Sequence, residues 1–264
     1  DMDATECDGT ALWLTTTGQG LHRAQVGASA ATSSISAVLH AAPDPRFTLI
    51  AALHRRKVCT LAVGAAHCLA VCEGPEADVW SWGEGSDGQL GHGQQTGAAS
   101  SSKFTCNSPR IVVGLLGLGV TAIACGERYS LALAGGHGYS FGAGRRGQLG
   151  HGDGRGHAVP KALPPMGSLI AGATGGEHTL FLEANGDVFA CGAGSAGQLG
   201  TGRDVDETRP QRVASLRGSR IVQLAAGAAH SVFLGASGVL YACGRNELGE
   251  LGFQTVYRAT GQPP

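Results

Sequence analysis

Three stretches of this chain carry the spacing G-x-G-x-x-G: Gly83, Gly85 and Gly88; Gly142, Gly144 and Gly147; Gly192, Gly194 and Gly197. Glycines so spaced let a backbone approach a dinucleotide pyrophosphate, provided the last of them opens a helix inside a strand–helix–strand unit. Here each is followed by Gln-Leu-Gly, further glycine and then Pro109, Pro160 or Pro210, so no helix can grow. The spacing therefore predicts tight turns, and no cofactor is expected. Ten histidines raise metal or acid–base chemistry. His67, His178 and His230 occupy one slot of a repeated element, with Tyr129 in the remaining copy. A side chain written into nearly every copy predicts a buried hydrogen-bonding strut. His92 and His151 share a second slot, where Thr201 stands in a third copy. Only Cys59, His67, Cys68 and Cys72 are close enough in sequence to suggest zinc, but adjacent strand residues point to opposite faces. No metal site is expected. Cys191 and Cys243 take the place of Trp82 and Phe141, which marks them as small core residues, and Cys125 ends an apolar strand. No serine-nucleophile motif, paired carboxylates or Walker loop is present, and Glu84 and Asp87 are replaced in the other copies. The residues predict no enzyme.

The elements behind these residues are repeats. Trp80-Ser-Trp-Gly-Glu-Gly-Ser-Asp-Gly-Gln-Leu-Gly-His-Gly93 returns over 139–152, 189–202 and, altered, 241–252. Its structural positions are Gly83, Gly88 and Gly91; Gly142, Gly147 and Gly150; Gly192, Gly197 and Gly200; Gly244, Gly249 and Gly252. A second element, G-x-x-H-[ST] with Tyr129 for His in one copy, precedes each phrase by about a dozen residues. Asn185-Gly186 and Ser237-Gly238 lie between the two elements and predict hairpins, so the flanking strands form antiparallel pairs. The intervals Gly83–Gly142, Gly142–Gly192 and Gly192–Gly244 are 59, 50 and 52 residues, and a Ser/Gly/Ala-rich insertion over Gln94–Asn107 lengthens the first. A unit of about 50 residues with four short strands predicts an all-β propeller of four-stranded blades. Four blades are clear within 58–264, and residues 1–57 hold at most one degenerate blade, around Leu12-Trp-Leu14 and Ile35–His40.

Composition narrows the function. The chain has 264 residues, 44 of them glycine, with 19 basic and 20 acidic side chains. The near-neutral balance argues against a nucleic-acid partner. No apolar run is long enough for a membrane span. The acidic start lacks a secretory signal layout, which predicts free thiols in a reducing intracellular compartment. Asp1 in place of an initiator Met, and Pro264 where another blade should begin, predict a piece of a longer protein.

The paired elements, G-x-x-H-[ST] and [YFW]-x-[WFC]-G-x-x-x-x-G-Q-L-G, resemble the repeat of the regulator of chromosome condensation family over roughly residues 58–255. The resemblance implies a propeller, in that family usually of seven blades, more than the four or five legible here. It implies a non-enzymatic scaffold that binds protein partners through its loops, within a larger protein or multi-subunit assembly. Candidate contact residues are Gln94, Gln95, Ser100, Ser101, Ser102 and Lys103 in the insertion, then Arg145 and Arg146. The alternative it implies is guanine-nucleotide exchange on a small GTPase, the founding member's activity. Light sensing, known for a plant propeller of this type, is not expected. The Gly-Trp-Arg-His-Thr element used there is Gly126-Glu-Arg-Tyr-Ser130 here, without tryptophan.

Overall fold

The computed structural model describes residues 49–74, 77–94 and 104–253. Three sheets have four strands: β1 (Val58–Val63), β2 (His67–Cys72), β3 (Val79–Glu84) and β4 (Thr105–Ile111); β5 (Val120–Cys125), β6 (Tyr129–Ala134), β7 (His137–Gly142) and β8 (His157–Ala162); β9 (Leu169–Thr174), β10 (His178–Glu183), β11 (Val188–Gly192) and β12 (Glu207–Arg212). The last has three, β13 (Ile221–Ala226), β14 (His230–Gly235) and β15 (Leu240–Gly244). Where repeat spacing would place its fourth strand, the chain lies outside the described residues. Each sheet is an antiparallel meander in sequence order. The first strand of each sheet approaches the first and second strands of the sheet before it. The sheets are therefore consecutive blades of a propeller, as the repeat predicts.

Local sequence explains the meander. Gly135 and Gly136 turn β6 into β7 with φ of +56° and +79°, the left-handed pair that a two-residue hairpin requires. The prolines fall on the fourth strands, Pro109 in β4, Pro160 in β8 and Pro210 in β12. An edge strand is the one place in a sheet where a missing N–H is tolerated. Blades are joined through short 3-10 turns at Val113–Leu115 and Ala214–Leu216, whose buried Leu115 and Leu216 anchor them. Ala51–Leu53 makes the same turn before β1, so the blade-to-blade pattern begins upstream of Val58.

The core lies between blades. Leu69 and Val71 of β2 meet Ala132, Ala134 and Phe141 of the second blade. Leu131 and Leu133 meet Phe181 and Cys191 of the third, and Leu180 and Leu182 meet Phe233 of the fourth. Alternation along each second strand thus buries one side chain forward and the next rearward, which is why β6 and β10 are buried at every position.

Two expectations change. The insertion ends earlier than Asn107: Thr105, Cys106 and Asn107 belong to β4, because Cys106 pairs with Gly83. Gln95 and Ser100–Lys103 of that insertion lie outside the described residues, as does the degenerate unit before residue 49.

Candidate functional site

The recurring polar side chains converge on the junctions between blades. Ser130 of the second blade places its Oγ 2.9 Å from His67 Nε2 and 2.8 Å from the carbonyl of Gln89, both in the first blade. Ser231 of the fourth blade stands likewise, 2.9 Å from His178 Nε2 and 2.7 Å from the Gln198 carbonyl. In the middle junction Thr179 Oγ1 lies 3.1 Å from the Tyr129 hydroxyl and 2.7 Å from the Gln148 carbonyl, while Tyr129 donates to the His178 carbonyl. Each junction is thus a clasp: a ring of one blade and a carbonyl of the same blade grip a hydroxyl of the next. The serine hydroxyl has one proton and donates it to the glutamine carbonyl, so the histidine Nε2 must donate to the serine oxygen. Burial enforces the neutral ring this needs, lowering His67 and His178 from 6.5 to about 4.

The glycine three residues before each ring is its floor. A β-carbon on Gly126 would lie 2.0 Å from Tyr129 Cε1, and one on Gly175 would lie 2.2 Å from His178 Cε1. The side chains of Gln89, Gln148 and Gln198 turn inward, where each Oε1 accepts the N–H of the residue two before it, closing the Gly-Gln-Leu-Gly turn. The same phrase holds a second pair that sequence reading missed. Ser81 Oγ lies 2.9 Å from His92 Nε2, and Ser140 Oγ 3.0 Å from His151 Nε2. The signal was in the repeats: where Thr201 replaces the histidine, Ala190 replaces the serine.

Each glycine of the G-x-G-x-x-G spacing has a structural reason, a left-handed backbone or a crowded neighbour, which at Gly85 is the side chains of Phe104 and Leu90. Gly83, Gly142 and Gly192 have φ of +103°, +111° and +104°, and Gly88, Gly147 and Gly197 are also left-handed. The middle glycine yields to a neighbouring segment, since a β-carbon on Gly144 or Gly194 would lie 1.9 Å from the carbonyl oxygen of Arg155 or Val205. No pyrophosphate is needed to explain any of them.

Among the candidate contact residues, Gln94 and Arg145 are exposed. Arg146 is engaged: its Nε lies 2.7 Å from Asp206 Oδ2 of the third blade, and its Nη2 lies 3.0 Å from Oδ1. The equivalent first-blade residue, Asp87, pairs with Arg128 of the second blade at 2.6 Å. On the opposite face, a cleft of about 210 Å³ opens between the β6–β7 turn and the following linker, lined by His137, Tyr139, Leu163, Pro164 and Met166. At its floor Gly138 stands where the other blades have Val79, Val188 and Leu240, and Leu163 fills the space a side chain there would take, 2.4 Å from a β-carbon. Burial pushes the thiols of Cys125 and Cys191 well above the usual range and that of Cys243 up to about 11, the opposite of a nucleophilic cysteine.

A meander of inter-clasped four-stranded blades defines the chain as a repeat β-propeller. The model of the regulator of chromosome condensation (RCC1) repeat matches residues 76–133, 136–182 and 185–234, and a second model of the same repeat matches 170–198 and 221–250. The chain belongs to this family. It is 35% identical over 209 residues to human E3 ubiquitin-protein ligase HERC2, covering 77% of this chain and 4% of that protein. It is 34% identical over 213 residues to the ultraviolet-B receptor UVR8 of Arabidopsis thaliana, covering 80% of this chain and 46% of the receptor. Among solved structures, Prp20p from Saccharomyces cerevisiae, described with its binding to Gsp1p and histones, superposes with a TM-score of 0.62 at 27% identity. That match covers 79% of this chain and 48% of Prp20p, and human WBSCR16 matches with a TM-score of 0.60, 26% identity, and 72% and 47% coverage. The chain spans about half the length of these propellers and a small part of the ligase.

Proposed function

We propose that this propeller is a non-enzymatic scaffold that binds protein partners through loops at the blade ends, in a reducing compartment and without direct nucleic-acid contact. One observation carries the reading. The polar residues that recur from blade to blade are consumed in holding blades together, so what differs between blades is the exposed loop chemistry. Among the described residues that chemistry includes Gln94, Arg145 and the cleft beside His137 and Met166, and the insertion over 95–103 is a further difference in sequence. Binding residues concentrate on such loops because a rigid frame tolerates their divergence. The ligase activity named for HERC2 is that protein's own, of which this chain matches a small part. Guanine-nucleotide exchange is the second reading, supported by the likeness to Prp20p and its described binding to Gsp1p. The test is affinity capture with the chain and with a variant lacking residues 95–103. The scaffold reading expects the variant to fold with unchanged circular dichroism and to lose protein partners. A small GTPase held preferentially when stripped of nucleotide would transfer the assignment to exchange. Undiminished capture by the variant would remove the insertion from the site.

A further inference from the structure

Three consecutive linkers lie on the face opposite the phrase loops, and they carry different chemistry. In the first, Leu116 has φ −61° and ψ 137°, Gly117 has φ +74°, and the Leu118 N–H returns to the Leu115 carbonyl, a type II turn. The third repeats that turn, with Arg217 at φ −59° and ψ 124°, Gly218 at φ +86°, and the Ser219 N–H on the Leu216 carbonyl. One backbone thus presents two surfaces. The first linker is apolar, with Val113 70%, Leu116 39% and Leu118 37% exposed, whereas the third exposes Arg217 and Arg220. The linker between them runs from Leu163 to Leu169, two residues fewer than Val112 to Val120 or Val213 to Ile221. It carries Pro164-Pro165 in place of the 3-10 turn and borders the cleft beside His137 and Met166.

Arg220 is the anomaly on this face. It is left-handed at φ +42°, in the slot where the first linker has Gly119 at φ +65°. Two hairpins fix its backbone there: its carbonyl accepts the Ala236 N–H, and a β-carbon on Gly186 would lie 3.1 Å from its Cα. A side chain in that conformation costs stability that glycine would not, so its presence points to a use for the guanidinium. Nothing nearby consumes it. Of the two acids at the β10–β11 turn, Glu183 accepts from the Gly167 N–H at 2.8 Å and from Asn185 Nδ2 at 3.3 Å, and Asp187 pairs with Arg212. Among the described residues neither Arg217 nor Arg220 meets a carboxylate. The same turn joins the two features: Gly167, which lines the cleft, is bound by Glu183 at one end, and Gly186 abuts Arg220 at the other.

We infer that this face binds an extended segment of a partner protein, with an aliphatic side chain in the cleft and carboxylates beside it on Arg217 and Arg220. The walls favour the aliphatic group: Leu163, Pro164, Met166 and Leu169 are apolar, and about 210 Å³ has room for one side chain of leucine or methionine size. Two arginines without an acidic partner on the adjoining linker fix the sign of the flanking charge. The inference rests on the scaffold reading and gives it a surface and a partner chemistry.

Fluorescence anisotropy of the full chain with a short labelled peptide, a central leucine flanked by glutamates, tests it. The expected result is saturable binding that weakens as salt is added. Serine in place of the peptide's leucine weakens it about 10-fold or more, the worth of one buried aliphatic side chain. Arg217→Ser weakens binding about 3-fold, as an exposed ion pair should, and leaves the urea midpoint unchanged. Arg220→Gly weakens binding by a similar factor yet raises the midpoint, because glycine relieves the left-handed strain. A midpoint that falls on Arg220→Gly would make that arginine a structural residue, and peptide binding indifferent to both arginines would place the contact elsewhere; either overturns the proposal. A peptide that fails to bind, while partner capture still depends on residues 95–103, would remove this face and leave the scaffold reading standing.

Discussion

At the residue scale, the clasp concentrates risk in a few hydroxyls. Ser130→Ala removes the partner of both the His67 ring and the Gln89 carbonyl, leaving two buried polar groups unmatched. Each such group costs about 1–3 kcal/mol, so the substitution destabilises by roughly 2–6 kcal/mol in urea melts. Ser195→Ala, whose hydroxyl meets only an exposed arginine nitrogen at 3.5 Å, stays within about 0.5 kcal/mol and serves as control. The same clasps make the fold acid-sensitive. His67 and His178 titrate near 4 when folded against 6.5 ordinarily, so between these values the unfolded chain binds more protons than the folded one. Stability is therefore highest above pH 6.5 and falls as pH drops toward 4, by about 1.4 kcal/mol per unit for each histidine. Urea midpoints from pH 7 to 4.5 measure the slope. His178→Tyr, which copies the Tyr129 junction, should remove one histidine's share of it. An unchanged slope would mean that other groups cause the acid loss.

At the element scale, the turns show why glycine is so abundant. Gly144→Ala would set a β-carbon 1.9 Å from the Arg155 carbonyl, a backbone atom that moves only if the β7–β8 loop rebuilds. The expected loss is about 3 kcal/mol or more, typical of overpacking at a site with nothing flexible to yield. At Gly154 nothing lies within 4 Å of a β-carbon and φ is +57°, so Gly154→Ala costs only the left-handed penalty, about 1 kcal/mol. Thermal melts of the two variants decide between steric and conformational causes. This contrast also marks what sequence could show. The strand order, the hairpins and the blade period were legible because they repeat, and repetition separates building residues from catalytic ones. The hydroxyl after each ring was visible as a pattern, yet its partner lies in another blade, and no spacing within one repeat points across a junction. Arg146 shows the same limit: in sequence it belongs to a basic turn, and in space its charge is met by Asp206, 60 residues on.

At the scale of the whole molecule, stability should be graded along the arc, because a blade contacts only its neighbours. β6 and β10 are each enclosed by blades on both sides and are buried at every position. Among the described residues β14 has a blade on its rear side alone, and its burial alternates between buried and half-buried. Nearest-neighbour coupling of this kind lets terminal units open without the centre. Amide hydrogen exchange should therefore be slowest in β6 and β10 and at least about 10-fold faster in β14, the difference of a face worth more than 1.4 kcal/mol. β2 should fall between, since the second blade covers Leu69 and Val71 while Leu53, Trp80 and Trp82 cover its rear without a described blade behind them. Uniform protection across all four second strands would mean that the arc unfolds as one unit and that the junctions are stronger than the faces suggest.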